Sequence, residues 1–181
     1  MKLLVLGLTA AALVPRFVSA QNAPLTSRQP AAACRVVRAG VEIPCPTGWM
    51  VLDENEREVV IANFQLGHGV TKNTRTGADK ATISVSTLPR LYRNLGEWLF
   101  AGHKNAPEAV ETRFVVKGSD GREISVVCLA SAERSGPIFS RYFFQVGKTP
   151  ALIEVMYRAN DPKREEYQSA ARHMIETAAV R

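Results

Sequence analysis

The sequence predicts an α+β domain in which an antiparallel sheet is packed by a mid-chain helix and by a C-terminal helix. Strand-like apolar patterns recur between residues 34 and 158, with turn-forming residues between them. Two segments instead have the apolar spacing of a helix, one over about residues 92–104 and one after Asp161. Strands and helices do not alternate regularly, which argues against a parallel sheet.

The first 20 residues have the three parts of a cleavable export signal. Lys2 supplies the positive charge, an apolar stretch runs from Leu3 to Val14, and Val18-Ser19-Ala20 places small residues before a cut. The apolar stretch is shorter than the roughly 20 residues that a transmembrane helix needs. An uncleaved N-terminal anchor is the alternative, which Arg16 favours because it lies close to the expected cut. We therefore expect an exported protein, either periplasmic or secreted.

The remaining chain predicts a leader and one domain. Residues 21–33 are polar, contain proline and have no periodicity, which is typical of a flexible leader. Residues 34–181 have the length of a single domain. Loss of Lys2 and Arg16 with the signal leaves 21 basic against 17 acidic residues, a net charge of +4. This excess is too small for a nucleic-acid-binding composition, but it allows weak attraction to an anionic surface. No second apolar run is long enough to cross a membrane.

The chain has three cysteines beyond the signal. A turn centred on Ala39-Gly40 would place Cys34 opposite Cys45, and an oxidising compartment would allow the two to form a disulfide. Cys128 lies in an apolar strand pattern and is expected to be a buried free thiol. The alternative is that all three cysteines are inert core residues.

The first half of the chain predicts strands joined by turns. Two short strands flank Ala39-Gly40, and further strands are expected at residues 49–52, 58–64 and 81–88. Residues 65–79 hold three glycines and few apolar residues, which indicates a long exposed loop. The segment Leu91, Leu95, Trp98, Leu99 and Gly102 has helical spacing, so a helix is expected over about residues 92–104 with Trp98 facing inward.

The second half predicts two hairpins and a final helix. The hairpins comprise residues 110–117 with 122–132 and residues 137–146 with 151–158, and we expect them to form the centre of the sheet. Asp161 is expected to cap the last helix, with Pro162 as its first residue. An apolar stripe on that helix is expected to face the sheet: Tyr167, Ala170, Ala171, Met174, Ile175 and Ala178.

Several of these segments together resemble the PsbP-like superfamily, which includes exported bacterial proteins of unknown function. The resemblance is carried by Ile43-Pro44-Cys45-Pro46-Thr47-Gly48-Trp49, by the late hairpin with Phe143-Phe144-Gln145-Val146-Gly147 and Ala151–Tyr157, and by Tyr167 and His173-Met174-Ile175. It implies an α/β/α sandwich around an antiparallel sheet. It also implies a binding or assembly role rather than a reaction, and no site residue of the superfamily can be assigned to a position here.

No catalytic or metal-binding motif is present in the sequence. His68, His103 and His173 do not form a metal-ligand pattern, and no serine nucleophile motif occurs. The carboxylates Asp53, Glu54, Glu56 and Glu58 are expected to lie in one solvated turn. We therefore expect no enzymatic activity, no cofactor and no metal.

Basic residues are concentrated in one stretch: Lys72, Arg75, Lys80, Arg90 and Arg93. If the loop folds over the start of the mid-chain helix, they form a cationic patch that attracts an acidic protein or an anionic surface. The alternative is that they are solvated charges that never converge.

The sequence thus predicts an exported, non-catalytic binding or assembly protein of the cell envelope or extracellular space, with an unknown protein or an anionic surface as its partner. A protein of another class is the alternative. This would be a small-molecule or lipid carrier, or a hydrolase, with a pocket between sheet and helix lined by some of Tyr142, Phe144, Met156 and Trp98.

Overall fold

The computed structural model describes residues 34–64, 79–132 and 135–181. The expected signal (1–20), the leader (21–33) and residues 65–78 lie outside this part of the chain, so the division into signal, leader and single domain stays a prediction. In chain order the elements are β1 (Arg35–Arg38), β2 (Val41–Pro44), β3 (Met50–Glu54), β4 (Glu58–Ala62), β5 (Thr82–Thr87), α1 (Leu95–Asn105), β6 (Val110–Lys117), β7 (Glu123–Ala130), β8 (Pro137–Val146), β9 (Thr149–Arg158), α2 (Arg164–Glu176) and β10 (Ala179–Val180). Neither of these helices is long and apolar enough to span a membrane.

The large sheet is antiparallel, with the strand order β3-β4-β5-β9-β8-β7-β6. The predicted strands are thus present, but the prediction that β6 to β9 form the centre of the sheet is wrong for β6, which is an edge strand. The reason is the connection through α1, which carries the chain from β5 across the sheet to its far edge. From there β7, β8 and β9 return, and β9 pairs with β5 over Thr82–Thr87.

The two helices pack on opposite faces of this sheet. Tyr167, Ala171, Met174 and Ile175 of α2 are nearly inaccessible to solvent and join the main core. On the other face, Trp98 of α1 packs with Leu129 and Phe143. The α+β fold with an antiparallel sheet between a mid-chain and a C-terminal helix is therefore confirmed.

The mid-chain helix begins later than its apolar spacing predicts. Asn94 caps α1 by accepting a hydrogen bond from the Glu97 backbone N–H at 2.9 Å. Before it, the Tyr92 N–H donates to the Pro89 carbonyl at 3.0 Å, which closes a turn. Leu91 belongs to that turn rather than to the helix and is 80% exposed.

The C-terminal helix also begins later, because Asp161 has another role. The Asp161 carboxylate accepts hydrogen bonds from the backbone N–H groups of Lys163, at 2.9 Å, and Asp79, at 3.1 Å. It thereby fixes the segment before β5 against the segment that leads into α2. The helix begins only at Arg164, so the predictions of Asp161 as its cap and Pro162 as its first residue are wrong.

The N-terminal hairpin has the predicted turn. Ala39 and Gly40 both have positive φ, 46° and 77°, as the tight two-residue turn between β1 and β2 requires. The Cys45 N–H donates to the Cys34 carbonyl at 2.9 Å, and the two side chains form a disulfide. β2 also pairs with β10, so the disulfide stabilises a small second sheet, β1-β2-β10. Cys128 is a buried free thiol, as predicted.

Candidate functional site

A groove lies between α1 and the face of the large sheet that α1 covers only in part. We call it the α1 groove; its volume is about 280 Å³. Its floor is formed by polar side chains of four neighbouring strands: Glu58, Ser84, Ser86, Arg141 and Glu154. Its aromatic side chains are Tyr92, Trp98, Phe139 and Phe143. The site therefore combines hydrogen-bonding groups at the bottom with apolar surface at the sides.

Strand alternation places the polar floor on this face. Ser84 is paired with Glu154, and Glu154 is paired with Arg141, so three neighbouring strands present these side chains in one row. On the opposite face of β5, Ile83 and Val85 are buried in the main core. The alternation predicted for β5 therefore places the side chains of Ser84 and Ser86 in an open groove rather than in bulk solvent.

An ion pair occupies the floor of the α1 groove. The Arg141 guanidinium donates from Nε to Glu154 Oε2, and the exposed fractions of the two side chains are only 25% and 19%. The guanidinium also lies over the Phe139 ring, 4.1 Å from its centroid. These contacts hold two half-buried charges in fixed positions, where a ligand could hydrogen-bond to either.

The helical wall of the groove approaches the sheet closely because residue 102 is glycine. A Cβ atom on Gly102 would lie 3.0 Å from Phe143 Cζ and 3.2 Å from Leu129 Cδ1. Both neighbours are buried and have little room to move. A larger residue would push α1 away from the sheet and change the width of the groove.

The rim of the groove carries basic and apolar residues. Tyr92 lines the groove, and it lies in one turn with the exposed residues Arg90, Leu91 and Arg93. Leu91 of this turn is 80% exposed, whereas the exposed Phe100, two residues from Trp98, lies on the side of α1 that faces away from the sheet. Large apolar side chains that face solvent beside a groove are typical of an interaction surface.

Comparison with known proteins gives the fold. No family model matches the sequence, and no curated protein matches it. Among solved structures, a single-residue mutant of the protein Mog1 matches with a TM-score of 0.50 and 12% identity over 82% of this chain and 96% of that chain. The α+β fold of this chain is therefore similar to the Mog1/PsbP-like fold.

Two further structures match with lower scores. They are the Ran-binding protein Mog1p of Saccharomyces cerevisiae (TM-score 0.46, 12% identity, covering 82% of this chain and 96% of that chain) and LpqN of Mycobacterium tuberculosis, described as involved in cell envelope biogenesis (TM-score 0.45, 16% identity, 82% and 90%). At these identities the likeness concerns the fold alone.

The predicted basic residues fall at different places on the fold. Arg90 and Arg93 lie together near the turn at the rim of the α1 groove. Lys80 precedes β5, at the opposite end of a six-residue strand, so about 20 Å separates it from Arg90. Its Nζ lies over the Phe64 ring, 5.4 Å from the centroid. Lys72 and Arg75 lie outside the described residues, and the five-residue patch stays a prediction.

The charged floor of the groove was missed by the sequence analysis. Arg141 and Glu154 each interrupt a mainly apolar strand, with a large apolar residue two positions before and another two positions after. This interruption is the sequence signal that could have found them. Glu58 was expected both to begin the strand over residues 58–64 and to be solvated in one turn with Asp53, Glu54 and Glu56. It does begin β4, but its side chain lines the groove, because Glu58 is paired with Ser86 and points to the same face of the sheet.

The histidine, cysteine and acidic side chains of the described residues do not gather into a metal-binding cluster. No group of three or more His, Cys, Asp or Glu side chains is placed to hold a metal. His103 Nε2 lies 2.5 Å from Glu111 Oε2, and His173 Nδ1 lies 3.6 Å from Glu176 Oε2, so neither histidine is paired with a nucleophile there. Burial raises the pKa of the Cys128 thiol, which disfavours the reactive thiolate.

Of the four residues from which a pocket between sheet and helix was expected to be lined, Trp98 lines the α1 groove, whereas Tyr142, Phe144 and Met156 do not. Tyr142 and Phe144 lie on the α2 face of β8 and are buried in the main core. Trp98 lines the α1 groove on the other face. Side chains on opposite faces of one sheet cannot line one pocket, because successive residues of a strand point to opposite sides.

Proposed function

We propose that this protein is an exported, non-catalytic binding domain that holds a segment of a partner protein in the α1 groove. The observation that carries the proposal is the unequal cover of the two sheet faces. The α2 face is closed by a continuous core, whereas the α1 face leaves polar and charged side chains of four strands accessible beside exposed apolar residues.

The charges of the groove favour a particular kind of segment. Arg90 and Arg93 at the rim would attract acidic side chains, while Glu58 and Glu154 on the floor would accept hydrogen bonds from donors of the segment. An apolar side chain of the segment would pack between Tyr92 and the indole of Trp98. We therefore propose an extended peptide segment with an apolar anchor flanked by acidic residues. An anionic surface is the other partner that the basic residues allow.

Export is the second part of this proposal. It rests on residues 1–20, and the disulfide between Cys34 and Cys45 supports it because stable disulfides are typical of oxidising compartments. N-terminal sequencing of the protein from the periplasm or medium of its host is expected to begin at Gln21. A chain found only in the cytoplasm with Met1 intact would contradict export.

Site-specific photo-crosslinking in the native host tests the groove. A photoreactive residue at Ser86, on the groove floor, is expected to capture a defined protein, whereas the same residue at the exposed Ser169 of α2 is the matched control. Adding Arg90→Ser and Arg93→Ser to the Ser86 derivative is expected to weaken the capture severalfold. Equal capture from both positions, or capture unaffected by the arginine changes and by salt, would contradict the proposal. Capture of lipid or glycan instead of protein would identify an anionic surface as the partner.

The volume of the groove and its opening to solvent favour peptide binding over the alternative function, that of a small-molecule carrier. Its volume of about 280 Å³ is slightly below the usual range of ligand pockets, roughly 300–1,000 Å³, and it opens to solvent along the rim. A thermal-shift panel of lipids, sugars and metal ions is therefore expected to leave Tm unchanged. A saturable rise in Tm with one compound, lost in Ser86→Trp, would favour the carrier.

A further inference from the structure

The edge strand β6 presents an unusually regular surface for pairing. It is paired with β7 at every position from Val110 to Lys117, and no other strand of the described residues pairs with its second edge. Val110 and Val115 are 57% and 58% exposed. A long strand with free main-chain groups and exposed valines is a template for another strand.

The other edge strand of the same sheet, β3, has two features that hinder pairing with a further strand. β3 is only five residues long, and its register with β4 shifts between Val51 and Asp53. Short length and a bulge both hinder pairing with a further strand. β6 is eight residues long, has no register shift and contains no proline. The two edges therefore differ in their capacity to accept a neighbour.

The hydrogen bonds of the β6–β7 hairpin show which main-chain groups of β6 are free. The Gly118 N–H donates to the Arg122 carbonyl at 2.7 Å, so residue 118 directs its polar main-chain groups toward β7. Successive residues of an antiparallel strand direct these groups to opposite edges. Glu111, Arg113, Val115 and Lys117 therefore direct their N–H and C=O groups away from β7.

We propose that β6 pairs with β6 of a second copy of this chain, in antiparallel orientation and with Phe114 at the two-fold axis. Outward-directed residues must face outward-directed residues for hydrogen bonds to form. In the Phe114-centred register, Glu111 faces Lys117 of the second copy and Arg113 faces Val115 of the second copy. The two large sheets then join into one continuous sheet.

The charge pattern selects this register over its two neighbours. The register centred on Arg113 places Arg113 directly opposite Arg113 of the second copy, and the register centred on Val115 places Arg113 opposite Lys117 of the second copy. Like charges that face each other across strands are destabilising, whereas opposite charges stabilise the pair. The Phe114 register instead gives two symmetric Glu–Lys pairs.

Contacts within one copy already hold the required side chains in place. Glu111 Oε1 lies 2.6 Å from Arg113 Nε and Glu111 Oε2 lies 2.5 Å from His103 Nε2 of α1, so the carboxylate is held on the α1 side of β6. On the other face, the Phe114 ring packs against Tyr142 with 6.4 Å between centroids, and the Arg172 guanidinium lies 5.1 Å from the Phe114 centroid. In the dimer, Phe114 would meet Phe114 of the second copy in a cross-strand aromatic pair. The proposal is independent of the α1 groove, since no residue of β6 lines it.

A charge-swap cycle followed by sedimentation equilibrium tests the pairing. The purified wild-type protein is expected to form a dimer as its concentration rises from the micromolar into the millimolar range. Lys117→Glu is expected to weaken the dimer at least about tenfold, because two opposite-charge pairs become two like-charge pairs. Glu111→Lys is expected to do the same. The double variant Glu111→Lys/Lys117→Glu is expected to recover most of the lost affinity.

Recovery in the double variant is specific for contact between copies. Within one strand, residues 111 and 117 are six residues apart, or about 20 Å, so they do not meet inside one copy.

A second pair of variants tests the main chain: Val115→Pro is expected to abolish the dimer, whereas Val115→Thr, which keeps the N–H group, is expected to retain it. The circular dichroism spectrum of each variant controls for folding. A wild type that stays monomeric throughout, or a swap that restores nothing, would overturn the proposal.

Discussion

Trp98 and Phe143 meet edge to face between α1 and the large sheet, with 5.7 Å between their ring centroids and 88° between their planes. Trp98 is the one buried residue of α1, a helix that the structure describes in full, and Phe143 lies beneath it on β8. This contact, with the close approach at Gly102, fixes the helical wall of the α1 groove. We expect the contact between the two rings to contribute to the free energy of unfolding.

A double-mutant cycle with Trp98→Leu and Phe143→Leu is expected to give a coupling free energy of about 1 kcal/mol, because aromatic pairs in this geometry stabilise each other beyond their buried area. The measurement is the free energy of unfolding in urea for the four proteins. Phe100→Leu combined with Phe143→Leu provides a reference pair, because Phe100 lies on the same helix as Trp98 but is 72% exposed. Strictly additive effects of the Trp98 and Phe143 changes would show that the ring contact contributes nothing of its own.

The ion pair on the groove floor is expected to depend on both partners. Glu154→Gln leaves the half-buried charge of Arg141 without its carboxylate, so we expect the free energy of unfolding to fall by about 1–2 kcal/mol, between the values for exposed and buried pairs. Glu58→Gln removes the same charge from the same groove and is the matched control, for which a change below about 0.5 kcal/mol is expected. Equal losses in the two variants would indicate a general charge effect instead of the pair.

The disulfide is expected to stabilise the small sheet. Cys34→Ser/Cys45→Ser opens a loop with a sequence separation of 11, and the chain-entropy model predicts a loss of about 2–3 kcal/mol of unfolding free energy. Urea unfolding measures it, with and without a reductant. The reductant should lower the stability of the wild type to that of the variant and should leave the variant unchanged. A variant as stable as the oxidised wild type would contradict this expectation.

Tyr167 is expected to limit stability at alkaline pH. Burial, followed by the nearby Asp161 charge, raises the pKa of Tyr167 to about 12 from its usual value of 10.0. An acid whose pKa is higher in the folded state contributes stability that is complete below pH 10 and is lost as pH rises from 10 towards 12. We therefore expect the free energy of unfolding to decline above about pH 10, and to decline less in Tyr167→Phe.

The same substitution is expected to be nearly neutral at about pH 7. The Tyr167 hydroxyl is buried near Asn63 and Asp161, but no hydrogen bond of ordinary geometry to it is present among the described residues, so its removal is expected to cost little. The measurement is urea unfolding of both proteins between about pH 7 and pH 11. A parallel decline of the two curves at the alkaline end would show that other groups are responsible.

Local sequence patterns predicted individual elements well. The apolar stripe of α2 faces the core as expected, although Ala170 is only partly buried and the buried Ala178 lies beyond the helix end at Glu176. The hairpin that joins Cys34 to Cys45 has the expected turn at Ala39 and Gly40. These features depend on residues close together in the chain. The starts of the helices were less well predicted. Asp161 is of a residue type that commonly caps helices, but its carboxylate accepts a hydrogen bond from the N–H of Asp79, a residue 82 positions away in sequence.

The candidate site could be predicted only in part. Arg90 and Arg93 were singled out from the sequence; they lie close in sequence to Tyr92, which lines the groove, and their role in binding stays a prediction. The floor was not predicted, because Ser84, Arg141 and Glu154 come from three strands that become neighbours only through the pairing of β5 with β9 and of β9 with β8. The alternation of side chains along a single strand does not specify which strands pair with each other.

The sequence by itself determined which side chains share a face of each strand or helix, because backbone geometry repeats every two residues in a strand and about every 3.6 in a helix. It also indicated the disulfide partners and the buried state of Cys128. Only the tertiary structure decided that β6 is a free edge and that β5 lies beside β9. It likewise decided that α1 leaves part of its sheet face open. Those outcomes depend on which surfaces pack best across long stretches of chain, and local periodicity does not contain that information.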